Sequence, residues 1–196
     1  MTNEERMQFI IKAAEESAIL RKTVGIDLAE KLTELSNLIS GVFGSGGKIM
    51  ICGNGGSAAD ASHMAGELVV RLTSKRNRQA LPAIALSTDP SVLTAAGNDF
   101  GFDQIFARQI EALGNQGDLL LVISTSGNST NLVNAVASAR KKKMLVAALL
   151  GGNGGKLVRL SDKALVIPHQ SVQRIQEEQI FLIHLLVELV ESDLFG

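Results

Sequence analysis

The chain of 196 residues is long enough to bury one full-sized core and short for two. Its 19 basic and 20 acidic residues leave a formal net charge of -1, without the broad positive surface that nucleic acid demands, so the expected partner is a small molecule. No apolar run approaches the roughly 20 residues needed to cross a bilayer, and a lone cysteine, Cys52, excludes an internal disulfide framework or a thiolate zinc cluster.

Residues 1–43 contain no proline and place apolar residues at helical spacing, as at Phe9, Ile10, Ala13 and Ala14. The pattern predicts two helices that break near Gly25–Asp27 and stop at the glycine cluster 44–47. The charged start, MTNEERMQF, lacks the apolar core of a signal peptide, and a cytoplasmic location without membrane attachment is expected. From residue 48 the rhythm changes. KIMIC, PAIALS, DLLLVIS, MLVAALL and ALVIP are short apolar runs bounded by Gly, Asp, Ser or Pro, with helix-like segments between most of them. Strands alternating with helices imply parallel pairing and right-handed crossovers, hence an α/β fold: a three-layer α/β/α sandwich on a five-stranded parallel sheet, with the N-terminal helices added. Residues 1–196 are read as one domain, 1–43 as a helical segment used in oligomerisation and 44–196 as the α/β core with its C-terminal helix. The stretch Ile180–Val190 is apolar almost all round and predicts a helix covered by further copies of the chain.

Two strand-loop-helix units repeat the same loop chemistry: KIMIC runs into GNGGSA and DLLLVIS into TSGNST, with GGNGGK after MLVAALL a weaker third copy. In an open parallel sheet such loops share the carboxyl edge of the strands, where ligands bind. Gly53–Ala58 satisfies a dinucleotide fingerprint, yet the acidic residue due about 20 positions later is missing: Leu72–Arg76 stands there, and Asp89 lies about ten residues too far on. No triphosphate loop with its lysine is present either. What remains is a cradle of hydroxyls, Ser124, Thr125, Ser126 and Ser129, at the start of a helix, where free N–H groups and the dipole favour an anion held by neutral donors. The same residues can also serve as helix caps. His63 and Glu67, four apart, share one helical face, as either a structural pair or a reactive one. Gln176 and His184, eight apart, stand about 12 Å apart along a straight helix, too far to grip one ion together.

STSGNS together with CGNGGSA resembles the sugar isomerase (SIS) domain family, whose members bind phosphosugars. CGNGGSAADASHMAGELVVR, GNDFGF, ISTSGNS and RIQEEQIFLIH, in that order, resemble the phosphoheptose isomerases within it, over nearly the whole chain. That resemblance implies the flavodoxin-like SIS architecture and conversion of sedoheptulose 7-phosphate into D-glycero-D-manno-heptose 7-phosphate through an enediolate, on a route to surface heptose. It implies a homotetramer with active sites between subunits, and one zinc per subunit on His63, Glu67, Gln176 and His184. Glu67 is then the expected base and His184 the proton shuttle, while Asn54, Gly55, Gly56, Ser57, Glu67, Arg71, Asn98, Asp99, Ser124, Thr125, Ser126, Ser129 and Gln176 are matched to substrate binding. Asp99 otherwise reads as a solvated loop acid and Arg71 as a surface charge. Gln173 stands where some members carry an acid, so no role for that acid is expected here. His169 reads as a loop histidine, and Arg140–Lys143 as positive charge complementing a helix end. Two rivals from other classes are a non-catalytic SIS protein that regulates replication initiation and the sensor domain of a transcription regulator. The first has no need of His63, Glu67, Gln176 and His184; the second would require a helix-turn-helix segment.

Overall fold

The computed structural model describes residues 1–196. Helix α1 (Asn3–Asp27) opens on a capping box: the Thr2 hydroxyl accepts from the Glu5 N–H, and the Glu5 carboxylate accepts from the Thr2 N–H. It passes through Gly25 without breaking and gives way at Leu28 to α2 (Ala29–Gly44), which ends at the expected glycines.

Five strands follow: β1 (Ile49–Gly53), β2 (Ala83–Ala85), β3 (Leu119–Ser124), β4 (Leu145–Gly151) and β5 (Lys163–Ile167). The intervening helices are α3 (Gly56–Val69), α4 (Pro90–Phe100), α5 (Ile105–Leu113), α6 (Thr130–Lys141) and the short α7 (Leu157–Leu160), and α8 (Val172–Phe195) closes the chain. All four strand pairings are parallel and the order is β2-β1-β3-β4-β5. The strand order therefore reverses between β1 and β3, and at such a switch point a crevice for a ligand opens at the carboxyl ends of the strands.

Strand alternation divides the core. Ile49 and Ile51 of β1 and Leu119, Leu121 and Ile123 of β3 face the layer built by α2, α3 and α8. Met50, Cys52, Leu120 and Val122 face the opposite layer, with Phe106, Ile110, Leu132 and Val136. Each fully buried Leu or Ile contributes about 1.5–3 kcal/mol from water exclusion alone. Burial also pushes the Cys52 thiol far above its ordinary pKa, so this cysteine is packing material rather than a nucleophile.

The sequence-based expectation for Ile180–Val190 needs correction. Leu182, Ile183, Leu186, Val187 and Val190 are buried by the chain's own α2, α3 and sheet, and Phe181, Leu185 and Leu189 are half-buried at the margin. A helix lying between two others and a sheet is apolar nearly all round for intramolecular reasons. The apolar surface left open lies on α1 instead, where Phe9, Ile10, Ile19 and Ile26 are exposed and only Leu20 and Val24 are buried.

The last residue of β1 sets how closely α3 approaches the sheet. A Cβ on Gly53 would lie 2.6 Å from the Ser57 carbonyl oxygen and 2.8 Å from the Ser57 Cβ, inside contact distance. Gly53→Ala is expected to cost about 1–3 kcal/mol through overpacking, which at roughly 2–4 °C per kcal/mol for a chain of this size is readable as a lowered melting temperature.

Candidate active site

Two loop-to-helix turns meet at the crevice. After β1, Asn54 leads into Gly55, whose φ of 58° is readily adopted by glycine, and α3 starts at Gly56 with Ser57 buried in its first turn. After β3, residues 125–129 form the second turn and α6 begins at Thr130. The two turns are tied together by a reciprocal pair of amides: Asn54 Nδ2 donates to Asn131 Oδ1 and Asn131 Nδ2 donates to Asn54 Oδ1, each at 2.9 Å. Asn131 is 2% exposed, so its pairing with Asn54 satisfies a carboxamide that burial would otherwise penalise. The side chain of Asn54, matched above to substrate, is thus engaged in holding the loops at a fixed separation.

The serine-rich turn is arranged as a set of donors. The Ser124 hydroxyl accepts from the Gly127 N–H at 3.1 Å and the Ser126 hydroxyl from the Asn128 N–H at 3.2 Å, which leaves both O–H protons free to donate. Ser129 occupies the N-cap position of α6, yet its side chain makes no capping bond, so the cap explanation does not hold for this residue. Thr125 and Ser126 line a cleft of ≈ 320 Å³ shared with Gly151, Gly152, Asn153 and His169.

Helix α8 runs beside α3 in the same direction. Gln176 rests on Gly56, where a Cβ would come within 2.9 Å of its carboxamide carbon. Farther along, the two helices bring three ligating groups together. His63 Nε2 lies 2.9 Å from Glu67 Oε1 and 3.1 Å from His184 Nε2, and His184 Nε2 lies 3.5 Å from Glu67 Oε1. All three ligand atoms fall within 4.8 Å of one another. The second carboxylate oxygen, Glu67 Oε2, is buried without a hydrogen-bond partner. Two imidazole nitrogens and one carboxylate oxygen aimed at a common point, with an orphaned oxygen beside them, fit a cation with a taste for nitrogen and oxygen ligands. Within one chain the triad is complete, and His184 needs no second subunit to reach His63 and Glu67. Gln176 is not brought to it: about 12 Å back along α8, it stands at the Gly56 end.

Asp60 belongs to the same face of α3, one turn before His63, and was missed from the sequence although the spacing 60, 63, 67 is helical. Burial pushes its carboxyl above the ordinary carboxylate range, the nearby His63 charge opposes that rise, and its Oδ2 has no partner. Arg71 is exposed beyond the end of α3. Asn98 and Asp99 lie at the end of α4, exposed, with the Asn98 amide donating to Asp99 Oδ1 at 2.8 Å. Neither makes a hydrogen bond to the triad within the chain.

The SIS domain family matches residues 13–151. The phosphoheptose isomerase of Pelodictyon phaeoclathratiforme is 51% identical over 176 residues, covering 89% of this chain and 83% of that protein. The chain belongs to the phosphoheptose isomerase family of SIS-domain proteins. Among solved structures, the phosphoheptose isomerase of Neisseria gonorrhoeae superposes with a TM-score of 0.89 at 41% identity, covering 97% of this chain and 100% of that one. The phosphoheptose isomerase of Francisella tularensis gives the same TM-score of 0.89 at 35% identity, covering 98% and 100%. In this chain the Ser124–Ser129 turn lies beside the start of α3, to which the Asn54–Asn131 pair ties it, and the His63/Glu67/His184 cluster stands about 10 Å farther along that helix.

The amide pair gives a direct test of the cradle. Asn131→Asp keeps an acceptor for Asn54 but removes the donor and sets a negative charge in the first turn of α6. Binding of a sugar phosphate, measured by calorimetry, is expected to weaken at least about tenfold, since one charge-bearing change near an anion is worth about 1.4 kcal/mol or more.

Proposed function

We propose that the chain interconverts sedoheptulose 7-phosphate and D-glycero-D-manno-heptose 7-phosphate, a reading supported by its similarity to phosphoheptose isomerases. The observation that carries this reading is the convergence of Glu67 with two imidazoles on the helix that leaves the phosphate cradle. A protein that only bound the sugar would have no use for a carboxylate with one oxygen shared between two imidazoles and the other left bare.

The phosphate is held by the O–H and N–H donors of Ser124–Ser129 and by the first turns of α3 and α6, with Ser57 and the Gly55–Gly56 backbone closing the near side. The absence of lysine from these turns favours release of product after each turnover. Glu67 removes a proton from C1 of the ketose, the electron pair moves into the C1–C2 bond, and an enediolate results. The proton of the C1 hydroxyl then passes to the C2 oxygen and Glu67 returns its proton to C2, leaving an aldehyde at C1. Glu67 Oε2 is the oxygen free for this work, since Oε1 is already shared with His63 and His184. His184 carries the proton between the two oxygens; its contacts within the triad use Nε2 alone, which leaves Nδ1 available. Asp60, whose carboxyl is pushed above the ordinary carboxylate range by burial, lies one turn away on the same face of α3.

His63, Glu67 and His184 would hold one zinc ion, and Gln176 would join them only from a second copy. When bound, the ion supplies Lewis-acid stabilisation of negative charge on the sugar oxygens. The exposed apolar residues of α1, with the exposed Asn98–Asp99 corner, support a homotetramer in which residues 1–43 form contacts between copies and sites lie between subunits. No helix is long and apolar enough to cross a membrane, which accords with a cytoplasmic enzyme.

Incubation with sedoheptulose 7-phosphate in deuterated water is expected to yield the aldose with deuterium at C2. Binding without turnover, with zinc present, would instead assign the chain to the non-catalytic branch. Glu67→Gln is expected to lower kcat by at least about a hundredfold, the lower range of general-base contributions, with sugar-phosphate affinity within a few-fold. Elemental analysis of untagged protein is expected to find one zinc per chain, lost in His63→Ala.

A further inference from the structure

The segment between Val70 and Pro82 is exposed over most of its length, yet the side chain of Arg78 within it is fully buried. Its Nε donates to Glu191 Oε1 at 2.6 Å, Nη2 to the carbonyl oxygen of Glu67 at 2.8 Å, and Nη1 to the carbonyl oxygens of Leu68 and Gln79 at 2.9 Å each. Glu191 is itself nearly buried, and its Oε1 also accepts from the Leu72 N–H at 3.4 Å. The ring of Phe195 stands 5.9 Å from the guanidinium carbon.

We infer that Arg78 and Glu191 are positioning residues for the isomerisation: together they clamp the last turn of α3 to α8, and so set Glu67 against His184. This rests on the reading of Glu67 and His184 given above.

The placement of each bond supports the inference. The last carbonyls of a helix have no partner within it, and those at the end of α3 belong to Glu67 and Leu68. Arg78 bonds both, so the backbone of the proposed base is gripped at its own carbonyl. The same planar group reaches the carboxylate of Glu191, two turns beyond His184 on α8. Only guanidinium has the fixed fork of donors that serves a carboxylate and several carbonyls at once; a lysine ammonium has three donors on a flexible stem. Affinity between the helices does not require the pair, because Leu182, Leu186 and Val190 already bury α8 against the core, and a buried ion pair is on average no more stabilising than apolar groups of the same size. What apolar packing supplies poorly is register along the helix axes. The distances among His63, Glu67 and His184 depend on that register, and a displacement of about 1 Å at a reacting group costs on the order of a hundredfold in rate.

The test uses Arg78→Lys and, in case that variant fails to fold, Glu191→Gln, which preserves volume and leaves the Arg78 bonds to the α3 carbonyls. Each is compared with the wild type for kcat, KM and melting temperature, and for the ring C–H NMR signals of the histidines. The chain holds 3 histidines, so single substitutions assign every signal. A kcat lowered at least tenfold is expected, with KM within about threefold, because the cradle lies at the other end of α3. The His63 and His184 signals are expected to move while that of His169, in the loop before α8, stays in place. A variant that melts earlier but keeps the wild-type kcat and unmoved His63 and His184 signals would overturn the clamp and leave a structural ion pair. Should the wild type show no turnover, the isomerase reading falls, and the histidine signals still decide whether the clamp positions the triad.

Discussion

The register between α3 and α8 is the constraint on which the rest of the molecule depends. The sheet and the apolar layer over it hold both helices on one side of β1 and β3. Along their length the two helices also meet at discrete contacts: Gln176 against Gly56 at the start of α3, and Arg78 between Glu67 and Glu191 at its end. His63, Glu67 and His184 lie between these two points. On the proposed function, a sugar phosphate spanning the crevice is measured against a ruler with a contact at each end.

The ends of that ruler differ in chemistry. At the carboxyl edge of the sheet the chain presents neutral donors, hydroxyls and backbone N–H groups, converging from two helix starts on the place for an anion. Toward the far end it presents ionisable groups in a partly buried setting, with the Glu67 side chain 13% exposed and that of His184 44% exposed. On the proposed function, separating the two keeps the strong charge of the phosphate away from the carboxylate that accepts a proton, since the repulsion of like charges is strong at short range and damped over a longer one.

Much of the architecture was legible in the sequence, for identifiable reasons. Each strand is a short β-branched or leucine-rich run stopped by Gly, Ser, Asp or Pro, and every one of the five appears within two residues of its expected ends. His63 with Glu67 was legible because helical spacing places them on one face, and Asp60 could have been added by the same rule. Asn131 and Arg78 were not legible. Their meaning comes from partners 77 and 113 residues away, Asn54 and Glu191, and nothing in the local pattern distinguishes Arg78 from the neighbouring Lys75 and Arg76. The apolar circumference of α8 was misleading for a related reason: hydrophobicity reports that a face is covered, not which chain covers it.

The Asn54–Asn131 pair has a further consequence. A carboxamide neither gains nor loses a proton under biological conditions, so this tie between the two turns does not itself titrate. The His63, Glu67 and His184 cluster, proposed above as the catalytic end, is instead built from imidazole and carboxylate groups. The two turns beside the proposed phosphate site are thus joined by a contact that carries no charge of its own.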